Sequence, residues 1–323
     1  MSDARADSPG PAPDLTEVAA VVGAPAFILP WLDRFYDPGD AELLLAAAGA
    51  GGAAALEAFG AARLERAVRR AVLDRADSGA FAPASFHDRL EVWAMFEGWK
   101  DVPLAVHRRL ADWEVEHYTG SVREDVDAVR AAPPGEPPDG AYAYVLLHEA
   151  EAVVMEQEHV YLWPCDCRAI VSKCRKPMNV CLRFENDRGL GWEISKERAV
   201  EILRRADKAG LMHTDYVSSR ASDPHAICNC CTDCCFPHLA TERLGAGDVW
   251  PVRRYVAAID LDVCTKCGRC GLRCPFEAIV CRQDGRPDLT PGQCRGCGLC
   301  QTGCSVGAIE LRPLARPGAS GPS

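Results

Sequence analysis

The spacing of apolar residues in the first third of the chain predicts short helices. Leu64, Val68 and Val72 recur at every fourth position among arginines, which is the pattern of an amphipathic helix. The segment 37–40, Asp-Pro-Gly-Asp, predicts a turn that starts another helix. The aromatic-rich stretch that follows should pack a small core. It comprises Phe86, Leu90, Trp93, Phe96 and Trp99.

This order of short helices followed by a long one loosely resembles a winged helix-turn-helix domain over residues 41–118. Arginines in this segment would contact phosphates if such a domain bound DNA, although acidic residues interrupt them. They are Arg66, Arg69 and Arg70. Packing of the segment against a partner protein explains its arginines and tryptophans equally well, so both interpretations stay open.

The middle of the chain combines strand and helix patterns. Residues 159–163 alternate in polarity and end at Pro164, so they predict a strand that delivers Cys165 to a loop. Ser195 is a predicted helix N-cap, and Gly210 is the predicted stop of the same helix. The predicted buried side of that helix comprises Val200, Ile202, Leu203 and Ala206.

Charge and cysteine distribution narrow the class of protein. The net charge is −10, which argues against a chain that mainly coats nucleic acid. All 18 cysteines lie between Cys165 and Cys304. A secreted disulfide-rich protein would spread its cysteines and carry an export signal, and the sequence shows neither pattern. We therefore expect metal ligation in the cytoplasm and, without a run of ~18 apolar residues, no membrane span.

Eight of these cysteines form two copies of the spacing C-x2-C-x2-C-x3-C. The copies are Cys264, Cys267, Cys270 and Cys274, then Cys294, Cys297, Cys300 and Cys304. The dipeptide Ala278-Ile279 recurs at the same offset as Ala308-Ile309. This internal duplication resembles the bacterial ferredoxins that carry two [4Fe–4S] clusters.

In that type of ferredoxin, three closely spaced thiolates hold one cluster and the fourth ligand comes from the other repeat. The predicted ligand sets are therefore Cys264, Cys267, Cys270 and Cys304 for one cluster, and Cys294, Cys297, Cys300 and Cys274 for the other. Two structural zinc sites are the alternative, but zinc ribbons usually pair two C-x2-C knuckles across a gap. Cys281 has no repeat partner, so we predict that it is a small buried hydrophobic residue.

The nine remaining cysteines fall into two tight groups without the ferredoxin spacing. The first group is Cys165, Cys167, Cys174 and Cys181, and the second is Cys228, Cys230, Cys231, Cys234 and Cys235. Adjacent residues in an extended chain point in different directions, so only one of each neighbouring pair should face a given site. The groups could each hold one cluster or pool their ligands. One or two further Fe–S clusters are expected, with zinc as the alternative.

Other polar residues of this region are candidates for ligands, proton donors or a docking surface. His213, His225 and His238 are candidate ligands or proton donors, and His225 is the best placed because it precedes Cys228 closely. Basic residues near anionic clusters would raise the reduction potential or form a docking patch for an acidic redox partner, unless they are simply a solvated loop. They are Arg168, Lys173, Arg175, Lys176, Arg183 and Arg188.

These motifs occur in one order: Pro164-Cys-Asp-Cys-Arg, Cys174, Pro177 and Cys181, then the Cys-Asn-Cys-Cys run at 228–231, then the duplicated tail. The order is similar to that of bacterial and archaeal 4Fe–4S dicluster ferredoxin-type proteins with an additional cysteine-rich domain. The resemblance covers roughly residues 144–311 and implies redox work with more than two clusters. It implies no particular substrate.

The predicted fold class is α+β. Its parts are a disordered tail (1–14), a mostly helical, winged-helix-like domain (15–130), a cysteine-rich α/β metal-binding domain (141–247), a dicluster ferredoxin domain (255–314) and a second disordered tail (315–323). The Pro/Gly-rich stretch 132–140 is a predicted linker.

Three functions are compatible with these observations. The first is single-electron transfer through the clusters, with a redox partner protein. The second is an iron–sulfur reductase, with an open cluster or a redox-active pair such as Cys230-Cys231 or Cys234-Cys235 acting on an unknown small molecule. The third is a redox-sensing DNA-binding regulator, which the acidic charge disfavours, so nucleic acid is not an expected partner. No dinucleotide-binding fingerprint is present.

Overall fold

The computed structural model describes residues 14–76, 78–133, 136–138, 140–216 and 225–314. The chain divides into two compact units, Met1–Leu110 and Ala111–Ser323. Helices and sheets both contribute, so the predicted α+β class is confirmed. Apart from Asp14, the two predicted tails lie outside the described residues, and the predicted linker is described only in part.

The first unit consists of helices and one small hairpin. Its elements are α1 (Leu15–Val22), a 3-10 helix (Ala26–Arg34), α2 (Pro38–Ala48), α3 (Gly52–Leu56), a second 3-10 helix (Glu57–Phe59), α4 (Ala61–Arg69), β1 (Leu73–Arg75), β2 (Phe81–Pro83) and α5 (Phe86–Phe96). The helix α6 (Leu104–Ser121) contains the division between the units.

Local chemistry explains where these helices begin and end. Asp37 caps α2 by accepting from the N–H of Asp40 at 2.8 Å, while Asp40 accepts in return from the N–H of Asp37, which confirms the predicted start. Helix α4 is shorter than the apolar repeat predicted. It ends at Arg69 because Ala71 adopts a left-handed φ of 52°, yet Val72 remains buried beyond the helix.

Arg89 is buried completely in the first unit. Its guanidinium donates to the carbonyl oxygens of Phe35 (2.7 Å) and Arg70 (3.0 Å). It also donates to both carboxylate oxygens of Glu97, at 2.8 and 2.7 Å. Burial alone would raise the pKa of Glu97, but the hydrogen bonds from Arg89 and Arg70 lower it below its usual value.

We expect Arg89→Met to destabilise this unit by about 3 kcal/mol, because it breaks a buried ion pair and leaves a buried carbonyl without a donor. Hydrogen-exchange mass spectrometry of α5 measures the loss. The matched control is Arg69→Met, at an exposed position of α4. Unchanged protection of α5 in the Arg89 variant would contradict the assignment.

The second unit is built on a six-stranded antiparallel sheet with the order β3-β7-β8-β5-β4-β6. The strands are β3 (Ala143–Val145), β4 (Tyr161–Pro164), β5 (Asn179–Arg183), β6 (Trp192–Glu193), β7 (Met212–Tyr216) and β8 (Ala226–Cys230). The helices around it are α7 (Arg123–Ala131), α8 (Leu147–Glu156), α9 (Asp166–Val171), α10 (Lys196–Lys208) and α11 (Phe236–Arg243).

Helices α8 and α10 cover one face of the sheet. Val180, Leu182 and Ile227 point from the strands into this core. The predicted capping of α10 is confirmed, because the Ser195 hydroxyl accepts from the N–H of Arg198 at 3.2 Å. Since side chains alternate along a strand, the cysteines next to these core residues project from the opposite face.

The last part of the second unit repeats one small motif. Its elements are β9 (Tyr255–Ile259), α12 (Arg269–Arg273), β10 (Ile279–Cys281), β11 (Pro287–Leu289), α13 (Leu299–Thr302) and β12 (Ile309–Pro313). Strand β9 pairs with β12, and β10 pairs with β11. Ile279 and Ile309, matched in the sequence repeat, are both buried in its core.

Polar contacts fix this repeat against the sheet and its helices. Arg273 donates to Asp207 at the end of α10, with Nη2 and Oδ2 3.0 Å apart, and Thr302 donates to the same carboxylate at 2.9 Å. Tyr255 donates its hydroxyl proton to Glu149 in α8 at 2.6 Å. These contacts join the two parts, which belong to the same compact unit.

Within the described residues, no single helix has the length and apolar character needed to cross a bilayer. One bent pair, Leu15–Val22 and Ala26–Arg34 at 110°, meets the length and composition test together.

Candidate metal centres

The first four-cysteine site combines both repeats. Cys264, Cys267, Cys270 and Cys304 line one cavity, which Ile309 closes from the core side. Three of these cysteines come from the first repeat and the fourth from the second, which is the predicted crosswise set. Four thiolates around one cavity fit a [4Fe–4S] cluster.

The second four-cysteine site is more buried. Burial raises the pKa of Cys300 to about 12, and the nearby thiols of Cys294 and Cys274 raise it further. Burial also raises the pKa of Cys297, which lies beside Cys300, Cys274 and Cys294. Such thiols are stable as thiolates only when a metal centre supplies the compensating charge.

Backbone N–H groups point at the sulfurs of both sites. In the first site, Lys266 N lies 3.4 Å from Cys264 Sγ, and in the second, Ala257 N lies 3.5 Å from Cys294 Sγ. Gly296, with φ 69°, must be glycine because a Cβ there would lie 2.3 Å from the carbonyl oxygen of Tyr255. Hydrogen bonds to cluster sulfurs raise the reduction potential, so the loop geometry suits electron transfer.

Six of the nine middle cysteines form a closed ring of neighbouring thiols, which we call the cysteine ring. Its members, in order of contact, are Cys165, Cys167, Cys235, Cys230, Cys228 and Cys181. The ring lies on the sheet face opposite α8 and α10 and draws equally on the two sequence groups. The structure therefore brings sulfurs of both sequence groups together, which favours the pooled arrangement among the two left open above.

Hydroxyl groups reinforce one side of the cysteine ring. Cys230 Sγ lies 3.5 Å from the hydroxyl oxygen of Thr214 and 3.6 Å from that of Tyr142. Hydrogen bonds from Cys228 and Cys235, and then from these hydroxyls, hold the pKa of Cys230 well below its usual value. The sequence motifs gave no signal for either hydroxyl, because both residues lie far from Cys230 in the chain.

The other three middle cysteines form a separate group, which we call the cysteine triad. The sulfurs of Cys174, Cys231 and Cys234 all lie within 4.8 Å of one another. Cys174 Sγ and Cys231 Sγ are 3.8 Å apart. A hydrogen bond from Cys234 lowers the pKa of Cys231 to about 5. Each adjacent cysteine pair is therefore split, since Cys230 and Cys235 belong to the ring while Cys231 and Cys234 belong to the triad.

Cys165 is placed differently from the prediction. Strand β4 runs directly into α9, and Cys165 is the N-cap of that helix and not part of a loop. Cys167 therefore lies in the first helical turn, where its sulfur accepts from the N–H of Phe236 at 3.4 Å. A strand–helix junction presents both sulfurs from a rigid backbone.

Of the three roles considered for the basic residues, the position of Arg168 fits a charge beside the candidate metal-binding thiols and does not fit a docking patch or a solvated loop. Its side chain is buried, and Nη1 donates to the carbonyl oxygen of Asn229 at 3.0 Å. Its Nε and Nη2 have no hydrogen-bond partner among the described residues. The charge of Arg168 interacts with thiols of both the ring and the triad, including Cys181 and Cys231.

The histidines lie away from the sulfurs. His225 Nδ1 is 2.9 Å from a carboxylate oxygen of Glu185, and His238 Nε2 is 3.4 Å from one of Glu242. His213 is buried, with Nδ1 2.7 Å from Asn229 Oδ1. The structure brings none of these three into the close sulfur groups described above.

Several basic residues and Cys281 have structural contacts. Lys176 donates to the carbonyl oxygen of Ala209 at the end of α10, at 2.9 Å. The guanidinium of Arg183 lies 4.1 Å above the ring of Trp163. Cys281 is half-buried, with its sulfur 3.7 Å from the carbonyl oxygen of Gly268.

Tyr144 connects the two metal-binding regions. It is buried together with Met212, Leu299, Cys230 and Cys235. Burial raises the pKa of its phenol, and the thiols of Cys235 and Cys297 raise it further because they lie close by. Tyr144 therefore lies between the second four-cysteine site and the cysteine ring.

Comparison with known proteins defines the class. Residues 257–280 match the family described as 4Fe–4S binding domain. A component of the Na(+)-translocating ferredoxin:NAD(+) oxidoreductase complex of Acetobacterium woodii is 40% identical over 53 residues, 16% of this chain and 16% of that protein. The pyruvate synthase component PorD of Thermotoga maritima is 36% identical over 64 residues, 20% of this chain and 63% of that protein.

A ferredoxin of Pyrobaculum islandicum is 34% identical over 59 residues, 18% of this chain and 55% of that protein. The chain spans less than two thirds of the length of each of these relatives. Together with the duplicated cysteine motif, these likenesses identify an iron–sulfur protein. More narrowly, the chain is of the 4Fe–4S ferredoxin type.

Proposed function

We propose that this chain transfers single electrons through two [4Fe–4S] clusters and through at least one further centre in the cysteine-rich region. Each cluster accepts and releases one electron with little rearrangement. Cys264, Cys267, Cys270 and Cys304 would hold the first, and Cys294, Cys297, Cys300 and Cys274 the second. The cysteine ring would hold the further iron. A cubane needs four thiolate ligands, and the ring supplies six thiols.

The main support for this proposal is the position of Tyr144 between the second four-cysteine site and the cysteine ring. One packed group of side chains joins Cys297 of the second four-cysteine site to Cys230 and Cys235 of the cysteine ring. Burial of this group keeps water away from the space between the sites. Such a buried, packed connection favours electron exchange between the two sites.

The first four-cysteine site is the proposed contact point for a redox partner protein. Cys267 is exposed, and the neighbouring apolar side chains of Leu272, Val263 and Val306 are 90%, 46% and 40% exposed. An apolar surface around an accessible ligand suits transient docking. The names of two relatives describe components of redox enzymes, which supports a protein partner.

Iron and acid-labile sulfide analysis of anaerobically purified protein tests the proposal. We expect more than eight irons per chain, since each cubane holds four. Cys228→Ala should remove iron down to about eight while the EPR signals of the two ferredoxin clusters remain. Cys281→Ser is the matched control, because Cys281 belongs to none of the proposed ligand sets although its thiol lies beside that of Cys270.

Two outcomes would contradict different parts of the proposal. If the wild type and Cys228→Ala both contain eight irons per chain, the proposal of a further iron centre is wrong. If the wild type shows no EPR signals of reducible four-iron clusters, the proposed electron-transfer function is itself wrong.

A further inference from the structure

The cysteine triad differs from the other sulfur groups in its spacing. Cys174 follows α9, whereas Cys231 and Cys234 lie in the turn between β8 and α11. Their three sulfurs lie within 4.8 Å of one another, and the Cys174–Cys231 separation is 3.8 Å. Distant parts of the chain are thus folded so that three thiols share one small volume.

This spacing matches a single tetrahedral ion. A Zn–S bond of about 2.3 Å places two thiolate sulfurs of a tetrahedral site about 3.8 Å apart. In a cubane, each thiolate binds a different iron and points outward from the cube, so its sulfurs are spread more widely. The triad is therefore too compact for three corners of a [4Fe–4S] cluster.

The described residues supply three ligands to this site. No fourth His, Cys, Asp or Glu of that part of the chain places a ligand atom in the triad's group. Cys231 and Cys234 are buried, while Cys174 is partly exposed, so the remaining position opens on the Cys174 side. Three protein ligands and one free position characterise reactive zinc sites, whereas structural sites are closed by four.

Charge supports the same assignment. Three thiolates and one divalent cation carry a net charge of −1, and the Arg168 guanidinium beside Cys231 compensates it. Two buried nitrogens of Arg168, Nε and Nη2, have no hydrogen-bond acceptor among the described residues, which suits an anionic sulfur-rich neighbour.

We propose that Cys174, Cys231 and Cys234 bind one thiophilic divalent ion, Zn²⁺, whose fourth position takes an exogenous ligand such as water or a small thiolate. This deepens the proposed function, because it assigns a non-redox metal centre to the cysteine-rich region beside the iron of the cysteine ring. The chain would then combine an electron path with a site that binds and polarises a small molecule.

Metal analysis of the full chain, purified anaerobically, tests this assignment. We expect one zinc per chain alongside the iron. Cys174→Ser should lose the zinc and keep all of the iron, whereas Cys228→Ala should lose iron and keep the zinc. Cys281→Ser should keep both. Retained iron in Cys174→Ser also shows that the variant is folded.

Cobalt provides a second measurement that needs no variant. Protein grown with Co²⁺ in place of zinc should show intense tetrahedral ligand-field bands and sulfur-to-cobalt charge transfer. These bands should shift on addition of 2-mercaptoethanol, because a thiolate would enter the free position. A tetrahedral spectrum that does not respond to the thiol would overturn the open position.

The outcomes separate this inference from the proposed function. A wild type without zinc or cobalt binding, or iron loss in Cys174→Ser, overturns the zinc site while ferredoxin EPR signals keep the electron path intact. If the protein contains zinc but shows no EPR signals of reducible four-iron clusters, the proposed function is wrong and the zinc site is supported.

Discussion

Replacing Cys304 with alanine should eliminate the cluster of the first repeat, although Cys304 belongs to the second. The single variants Cys264→Ala and Cys304→Ala should each lose about four irons per chain. The double variant Cys264→Ala/Cys304→Ala should lose no more than either single variant, because both residues line the same cavity. Iron analysis together with EPR of the reduced protein measures the loss.

The pair Cys264→Ala/Cys274→Ala is the matched comparison, since it removes two cysteines of one repeat. It should lose about eight irons if the ligand sets cross. Repeats that each hold their own cluster would give the reverse pattern, with the greater loss in the Cys264/Cys304 pair. That reversal would refute the crosswise assignment.

Replacing Arg168 with leucine should lower the reduction potential of the iron centre proposed for the cysteine ring. The guanidinium is buried beside sulfurs of the ring, and a positive charge there stabilises the more negative reduced state. Removing one buried charge at such a short separation should shift the potential by on the order of 100 mV. A redox titration followed by EPR measures the shift.

Two further variants make this result specific. Arg168→Lys keeps the charge and should restore most of the potential, although it loses the planar hydrogen-bonding geometry of the guanidinium. Lys173→Met removes an exposed charge from the same region. Because solvent screens that charge, the reduction potential should shift by only a small fraction of the Arg168→Leu shift. Equal potentials in wild type and Arg168→Leu would show that Arg168 serves packing alone.

The sequence predicted the local elements well. The start of α2 at Asp37 and the capping of α10 by Ser195 depend on contacts between neighbours, which short motifs encode. The duplicated cysteine spacing likewise indicated a ferredoxin-type site, and the comparisons support that class. The division of adjacent cysteines between different sites followed from the alternation of side chains in an extended chain.

The long-range arrangement could not be predicted in the same way. The cysteine ring joins Cys165 to Cys181 and Cys228 through the order of strands in the sheet, which no local motif specifies. The role of Arg168 among the three that were considered could not be predicted, because its burial depends on that same sheet. The helix that begins after Cys165 was missed because Pro164 suggested a loop.

The ion pair between Arg273 and Asp207 restricts how this protein can exchange electrons. Small ferredoxins diffuse between their donors and acceptors, and some larger redox proteins carry such a module on a flexible tether that swings between two stations. Here the carboxylate of Asp207 joins Arg273 and Thr302 to the end of α10, which opposes such a swing. In the proposed function the chain would then act as a stationary relay, and its donor or acceptor would have to come to it.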